Sequence, residues 1–245
     1  MNYSIASERY SRGDWMPPWT IKEHHARYEL CRGMVAGKDV VDCACGSGEL
    51  SSILRSAGAR SVIGVDVDAD AIESAKAHFS AKGITFICSD GQKLPLPNDA
   101  CDVFVSLETL EHVGPDQEFV NEMHRVLRKG GLLVCSTPNR VITNPMTTIF
   151  QKPWNPFHVR EYSRLELESL ISQRFIIEKQ FGQNPASWLR VKFVNIIASW
   201  LGTPCAIKVN QLWKCRWFVF DSSQAHHVRE MADAYFEYFV FIARK

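Results

Sequence analysis

The 245-residue chain has no C-x-x-C pair; its eight cysteines, at positions 31, 43, 45, 88, 101, 135, 205 and 215, are scattered. That absence removes the usual sequence patterns of zinc ribbons and disulfide scaffolds, and buried, reduced thiols are expected instead. Neither sign of charge is in excess: 28 lysines and arginines face 27 acids, for a net charge of +1. Without a basic surplus there is no electrostatic footprint of a nucleic-acid binder. No apolar run reaches the ~20 residues that cross a bilayer, and membrane contact is not expected. The opening "MNYSIASERYSRGDW" lacks a basic stretch followed by an apolar core, so no signal peptide is expected and the protein reads as cytoplasmic. Repeats and low-complexity segments are lacking too, which sets aside solenoids and disordered arrays.

What is present is a core-forming composition, 46% hydrophobic, and a middle that alternates two periodicities. "DVVDC" (39–43), "SVIGVDV" (61–67), "ITFICSD" (84–90), "CDVFVSLE" (101–108) and "GGLLVCSTP" (130–138) are short apolar runs that read as strands. Between them, "ELSSILRSAG" (49–58), "DADAIESAKAHFSAKG" (68–83) and "PDQEFVNEMHRVLRKG" (115–130) have helical spacing. Asp70 and Glu73 have the spacing of a capping box, Gly83 ends that helix, and the third run opens with proline and acid and closes with cations and glycine. Strands alternating with helices predict an α/β fold, a parallel sheet covered on both faces. Residues 139–162 are proline-rich and aromatic without clear period, as functional loops often are. A helix with a second capping box, Ser163 with Glu166, follows at 163–173, then a strand at 175–181. "SWLRVKFVNIIASWLG" (187–202) reads as a helix apolar on nearly all sides, buried or at a homodimer contact, with a membrane-surface or lipid-acceptor contact as the alternative. "CRWFVFDS" (215–222) reads as extended, and "YFEYFVFIARK" (235–245) as a last strand.

Ligands of parallel sheets bind at the carboxyl ends of the strands, so the turn in "VVDCACGSGEL" (40–50) sits at the expected binding edge. Zinc is a poor fit, because Cys43 and Cys45 have no second pair and no histidine cluster completes a tetrahedral set; no metal is expected. A dinucleotide half-matches: Gly46, Gly48 and Ser51 fall on G-x-G-x-x-G with the third glycine missing, and the Walker lysine is absent. Asp42 and Glu49 border the turn, and two carboxylates are poor neighbours for a pyrophosphate. S-adenosylmethionine has no phosphate and carries a sulfonium and an ammonium, which suit an acidic edge. Asp66, at the end of the second strand, could accept hydrogen bonds from both ribose hydroxyls; its alternative, a helix cap, is better filled by Asp68 or Asp70. Asp90, followed by Gly91, could accept from the adenine amino group, with an exposed turn acid as the alternative.

Taken together, "VVDCACGSG", "VIGVDVD", "ICSDGQKLPLPNDACDVFVSLETLEHV" and "HRVLRKGGLLVCSTPN" resemble the class I S-adenosylmethionine-dependent methyltransferases over roughly residues 24–182. The resemblance implies a Rossmann-like, seven-stranded, mostly parallel sheet with helices on both faces, whose final strand, "YFEYFVFIARK", is antiparallel. It divides the chain into a helical N-terminal lid (1–38), a cofactor-binding core (39–183), an insertion at the acceptor site or an interface (184–234), and the last strand (235–245). The cofactor cradle it implies is Arg27, Asp42, Ala44, Gly46, Gly48, Asp66, Val67, Asp90, Gly91 and Leu107, with Tyr28 against the methionine chain. A narrower resemblance, carried by "STPN", "NPFHVREYS" and "FGQ", is to methyltransferases of glycan, O-antigen and natural-product assembly. There alanine is familiar where Ala44 replaces the usual glycine.

The chemistry needs an aligned acceptor and, for a hydroxyl, a proton acceptor. His112 is a candidate base, with ordering of its loop as the alternative. Glu108 could line the methionine pocket or bind substrate hydroxyls, and shares one face with Glu111 and His112 if 108–112 is helical. His158, Arg160, Glu161 and Tyr162 are candidate acceptor contacts, the alternative being that His158 and Glu161 pin their loop. His24 and His25, adjacent on a helix, are not read as metal ligands. The expected activity is O-methylation of a small sugar, glycan precursor or secondary metabolite. N- or C-methylation of a natural product or lipid-linked acceptor is the alternative. A non-catalytic interaction subunit and an NAD-dependent oxidoreductase are the rivals from other classes.

Overall fold

Two adjacent valines show how the sheet is built. In β1 (Asp39–Cys43), Val40 packs into one apolar cluster and Val41 into another, both fully enclosed. Successive strand residues face opposite sides, so an unbroken apolar run means a strand covered on both faces. The computed structural model describes residues 18–185, 188–201, 205, 229–230 and 236–245. The extended stretch expected at 215–222 and most of the aromatic N-terminal segment lie outside them.

In chain order, α1 (Pro18–Val35) precedes β1, and α2 (Ser51–Ser56), β2 (Ser61–Asp66), α3 (Ala69–Phe79), β3 (Ile84–Cys88) and β4 (Cys101–Leu107) follow. The chain continues through α4 (Asp116–Val126), β5 (Leu127–Pro138), α5 (Arg140–Thr143), α6 (Arg164–Ile171), β6 (Ile176–Pro185) and α7 (Trp188–Leu201). A two-residue β7 (Arg229–Glu230) and β8 (Phe236–Arg244) end the described order. The sheet runs β3-β2-β1-β4-β5-β8-β6-β7. Neighbours from β3 to β5 are parallel, and β8 is antiparallel to both β5 and β6. This is the expected seven-stranded sheet with its antiparallel strand, to which the short β7 adds an edge.

Helices α4 and α6 cover one face through Phe119, Met123, Leu167 and Ile171, while α1, α2 and α3 cover the other through Cys31, Leu54 and Ile72. Strand order reverses direction between β1 and β4, so the loops after these two strands diverge and leave a crevice at the carboxyl edge. Five of the seven described cysteines are buried and all seven are free thiols; Cys88 and Cys205 are exposed.

Some local readings shift. The cap of α3 is Asp68, which accepts from the Asp70 and Ala71 amides, not a box opened by Asp70. Gly83 does close that segment, with φ +77°, after a short 3-10 turn. Ser163 and Glu166 form the full reciprocal box of α6. Helix α4 stops at Val126 and not at Gly130, because "LRK" is already strand. The cation there serves the sheet: Arg128 Nη1 reaches Asp39 at 2.9 Å and Asp102 at 2.8 Å, tying together the amino ends of β1, β4 and β5. α7 is not wholly enclosed, since Val194 and Ala198 are buried but Phe193, Ile196, Trp200 and Leu201 are exposed.

Gly64, inside β2, is required by space alone. A Cβ there would lie 2.7 Å from Phe86 and 2.9 Å from Cys45 Sγ. Gly64→Ala is therefore expected to destabilise the fold by about 1–3 kcal/mol, the usual cost of overpacking. Phe86→Leu in the same chain should recover part of that loss. Urea unfolding of the wild type, the two single variants and the double variant measures both effects, and additive losses would show that the two sites do not collide.

Candidate active site

The turn after β1 takes its shape from its acids. Asp42 is completely enclosed; its Oδ1 accepts from the Tyr28 hydroxyl of α1 at 2.9 Å and its Oδ2 from the Ser51 hydroxyl of α2 at 2.5 Å. One carboxylate thus joins β1, the N-terminal helix and the helix after the turn. Burial raises its pKa to about 6, against the opposing pull of the Ser51 and Tyr28 hydrogen bonds. Ala44, Gly46 and Gly48 all have positive φ, at 66°, 53° and 77°. The amides of Ala44 and Cys45 both donate to the Val65 carbonyl, at 2.7 and 3.0 Å. At Gly48 a side chain is excluded outright, as a Cβ would sit 2.6 Å from the Phe86 ring. Burial pushes the Cys43 and Cys45 thiols well up, so they are neutral at ordinary pH and poor metal ligands.

Asp66 reaches back over the same turn. Its Oδ2 accepts from the Gly46 amide at 2.9 Å and its Oδ1 from the Asp68 amide at 3.0 Å. Beside it Val67 is 63% exposed, an apolar side chain offered at the binding edge. Asp90 is exposed at the end of β3 and accepts from the Gln92 amide at 2.9 Å. A Cβ on Gly91 would meet Cys43 Sγ at 2.9 Å. Leu107 closes the edge at the end of β4, nearly buried.

Arg27 is 1% exposed and no carboxylate pairs with it among the described residues. Its Nη1 donates to Gln183 Oε1, its guanidinium lies 4.9 Å from the Tyr238 ring centre, and its Nε has no acceptor. A buried cation in this state is set to receive an anion. Gln183 was not singled out from the sequence, although it closes the quoted "FGQ"; it is fully buried and donates to the Glu23 carbonyl at 3.0 Å. Tyr28 is committed to Asp42 and packs in the core rather than lining the edge. Burial, and then the charges of Arg27 and His25, hold His24 well below the usual histidine range.

A second constellation forms after β4. Only residues 110–112 are helical, as one 3-10 turn, yet the acids still meet. Glu108 sits at φ 53° with its Oε1 accepting from the Ser136 hydroxyl at 2.6 Å. Glu111 is 1% exposed and accepts from the Thr137 hydroxyl at 3.0 Å. Burial, and then the negative charge of Glu108, raise its pKa well above the usual carboxylate range. His112 is exposed; its Nδ1 lies 3.2 Å from the Phe157 carbonyl, and its ring meets that of His158 edge-on at 4.9 Å. No histidine cluster was expected to complete a set with Cys43 and Cys45, and the histidines that do meet gather elsewhere, without either cysteine. Ligand atoms of Glu111, His112 and His158 lie within 4.8 Å of one another. Its ends, Glu111 and His158, lie 47 positions apart in the chain, so local spacing could not reveal it.

Of the four residues read as acceptor contacts, only His158 joins this group. Glu161 is 2% exposed and receives hydrogen bonds from His158 Nδ1, Asn144 and Thr143, which makes it the hub of the 139–162 loop. Tyr162 is 1% exposed and donates to Asp116 at 2.9 Å, and Arg160 pairs with the same Asp116. These three shape the wall from behind. The reading of His158 and Glu161 as a pin for the loop describes the geometry of Glu161.

The comparisons with known proteins bear on both constellations. Residues 41–135 match the family model described as a methyltransferase domain. A probable S-adenosylmethionine-dependent methyltransferase of Mycolicibacterium smegmatis is 34% identical over 179 residues, 73% of this chain and 67% of that protein. A ubiquinone biosynthesis O-methyltransferase of Roseobacter denitrificans is 29% identical over 168 residues, covering 62% of this chain and 66% of the other. For relatives from Mycobacterium tuberculosis the chain spans 53% of the length. Among solved structures, an S-adenosylmethionine-dependent methyltransferase from Mesorhizobium loti superposes with a TM-score of 0.62 at 20% identity, over 90% of this chain and 98% of that one. The [4+2]-cyclase SpnF superposes equally well, at 0.62 and 17% identity over 98% and 86%, so the likeness carries the fold and not a reaction. No helix among the described residues is long and apolar enough to cross a membrane.

Asp42 supplies a pH test. Its folded pKa of about 6 lies above the unfolded value of about 3.9. The stability it contributes is therefore complete below the unfolded value and is lost as pH rises through the folded one. The unfolding free energy of the wild type, less that of an Asp42→Asn variant, is expected to fall by up to about 3 kcal/mol between pH 4 and pH 7. Denaturant titrations across that range measure it, with all other carboxylates common to both proteins. A difference independent of pH would show that Asp42 does not titrate there.

Proposed function

The chain belongs to the S-adenosylmethionine-dependent methyltransferases, and from that premise we propose that it methylates a hydroxyl oxygen of a small molecule: a sugar, a glycan precursor or a secondary metabolite. Its cofactor is S-adenosylmethionine, which when bound supplies an electrophilic methyl carbon on a positively charged sulfur.

The residues of the edge fit that cofactor. Arg27, buried with an orphaned Nε and with no carboxylate pairing among the described residues, suits the amino-acid carboxylate. Gly46 and Gly48 let a ligand reach the backbone. Asp66 already orients its oxygens with two amides, which leaves lone pairs for ribose hydroxyls. Val67 offers an apolar face to the adenine, and Asp90 with Gly91 an acceptor at its rim. Asp42 is fully enclosed, so it acts through the turn it holds and not by contact.

The acceptor reading rests on one observation: Glu108, Glu111, His112 and His158 crowd the end of β4, on the side where the strand order turns. Such a group binds hydroxyl protons and can take one up; His112, exposed at the end of β4, is the base we assign. Glu108 holds the substrate hydroxyl or the methionine end of the site. The name of the Roseobacter relative supports oxygen as the acceptor atom. We place the acceptor's body against the 139–162 loop and α7, where Trp154, Phe157, Phe193 and Trp200 leave apolar surface exposed.

Two measurements test this. Asp66→Ala is expected to weaken binding of S-adenosylhomocysteine at least tenfold by calorimetry; unchanged affinity would remove Asp66 from the site. With radiolabelled S-adenosylmethionine and a panel of small alcohols, phenols, sugars and amines, label should pass to hydroxyl compounds, and His112→Ala should lower kcat 10²-fold or more. Transfer to amines alone would overturn the oxygen assignment.

A further inference from the structure

Two consecutive residues near the end of β6, Gln183 and Asn184, meet the same residue of α1. Successive strand residues ordinarily face opposite sides. Asn184 departs from that rule at φ 57°, a conformation that asparagine tolerates better than most side chains. Gln183 Nε2 donates to the Glu23 carbonyl at 3.0 Å. Asn184 Nδ2 donates to the Glu23 carboxylate at 2.5 Å and to that of Glu237 at 3.3 Å. All four side chains are buried.

The next turn of α1 carries Arg27. Glu23 and Arg27 stand four positions apart with the acid first, the spacing and order at which a helix forms an ion pair most readily. Burial strengthens such an attraction. The pair nevertheless does not form: Glu23 Oε1 is held by Asn184, and Arg27 Nη1 donates to Gln183 Oε1. The two β6 residues thus part a cation from the acid of its own helix.

Gln183 suits this task because it is neutral. Its oxygen accepts from the guanidinium and its amide donates to α1, so its orientation is set at both ends. Its register partner in β8 is Tyr238, whose ring centre lies 4.9 Å from the same guanidinium. An amide oxygen and a ring face fix the place of Arg27 and leave its charge uncancelled. A carboxylate at position 183 would meet the same geometry and neutralise it.

We infer that Gln183 and Asn184 are positioning residues for the carboxylate of the cofactor's amino-acid part: Gln183 aims Arg27 without neutralising it, and Asn184 keeps Glu23 turned away. The inference rests on the assignment of Arg27 to that carboxylate made above. It gives the "FGQN" end of β6 (181–184) a task in cofactor selection carried out through Arg27.

Calorimetry with two ligands tests it. S-adenosylhomocysteine carries the carboxylate, and 5′-methylthioadenosine lacks the whole amino-acid part. Gln183→Glu should weaken S-adenosylhomocysteine at least tenfold and leave methylthioadenosine within twofold. Asn184→Ala, which releases Glu23 toward Arg27, should lower the ratio of the two affinities in the same direction, and Glu23→Gln in that background should restore it. A merely structural role would weaken both ligands together. Equal loss of both ligands in the two variants, or a wild-type ratio in both, would overturn the inference. Arg27→Met checks the assignment beneath it and should abolish the preference for the carboxylate ligand. If Arg27→Met keeps the wild-type ratio, the carboxylate assignment fails and the inference with it. If Arg27→Met loses the ratio while Gln183→Glu and Asn184→Ala keep it, the assignment stands and the inference alone falls.

Discussion

Asp42 puts a carboxylate where water cannot reach it, and its partners decide what lies around it. A buried acid must be hydrogen-bonded to be tolerated. Tyr28 and Ser51 meet that need from α1 and α2, so the demand of one side chain sets the approach of two helices to β1. With those ends held, the chain between them crosses residues 44–48 in a left-handed path, at some cost for Ala44, whose Cβ disfavours it. Asp66 then closes the turn from the next strand through the Gly46 amide. The acids that border the turn are thus its scaffold before they are anything to a ligand.

The same economy explains why the sheet was readable from sequence. Strands buried on both faces are mainly apolar, and the runs in "DVVDC" and "CDVFVSL" have no other use. The short β-to-α links leave little freedom, so the glycines and acids at strand ends fall at one edge by topology alone. The box of Ser163 and Glu166 was legible because both partners lie in one turn. Arg128 misled because a cation after a helix serves a helix end or an ion pair equally well, and here three strands claimed it.

The second constellation was hidden for a different reason. Glu111 and His158 share no local period; what joins them is the loop after β5 folding back so that the Val159 and Arg160 amides donate to the Glu111 carbonyl, at 2.8 and 3.2 Å. That return depends on Glu161, whose three donors come from within the loop itself. Residues that seemed candidates for contact with a substrate, Glu161 and Tyr162, hold the wall from inside. A residue type suited to chemistry is also suited to being buried and bonded, and only enclosure tells the two apart.

The position of β8 has a consequence for how the molecule comes together. It lies between β5 and β6, bonded to both, so among the described strands β6 joins the parallel half only through residues 236–244. The five parallel strands can pair as soon as β5 has left the ribosome. Strand β6 must wait for a segment that emerges some fifty residues after it, and until then it has no partner in the parallel half. Gln183, on which Arg27 depends, sits on that waiting strand. During synthesis, then, the turn after β1 can take shape early, while the pocket for a carboxylate beside Arg27 is completed among the last events, when β8 slots in.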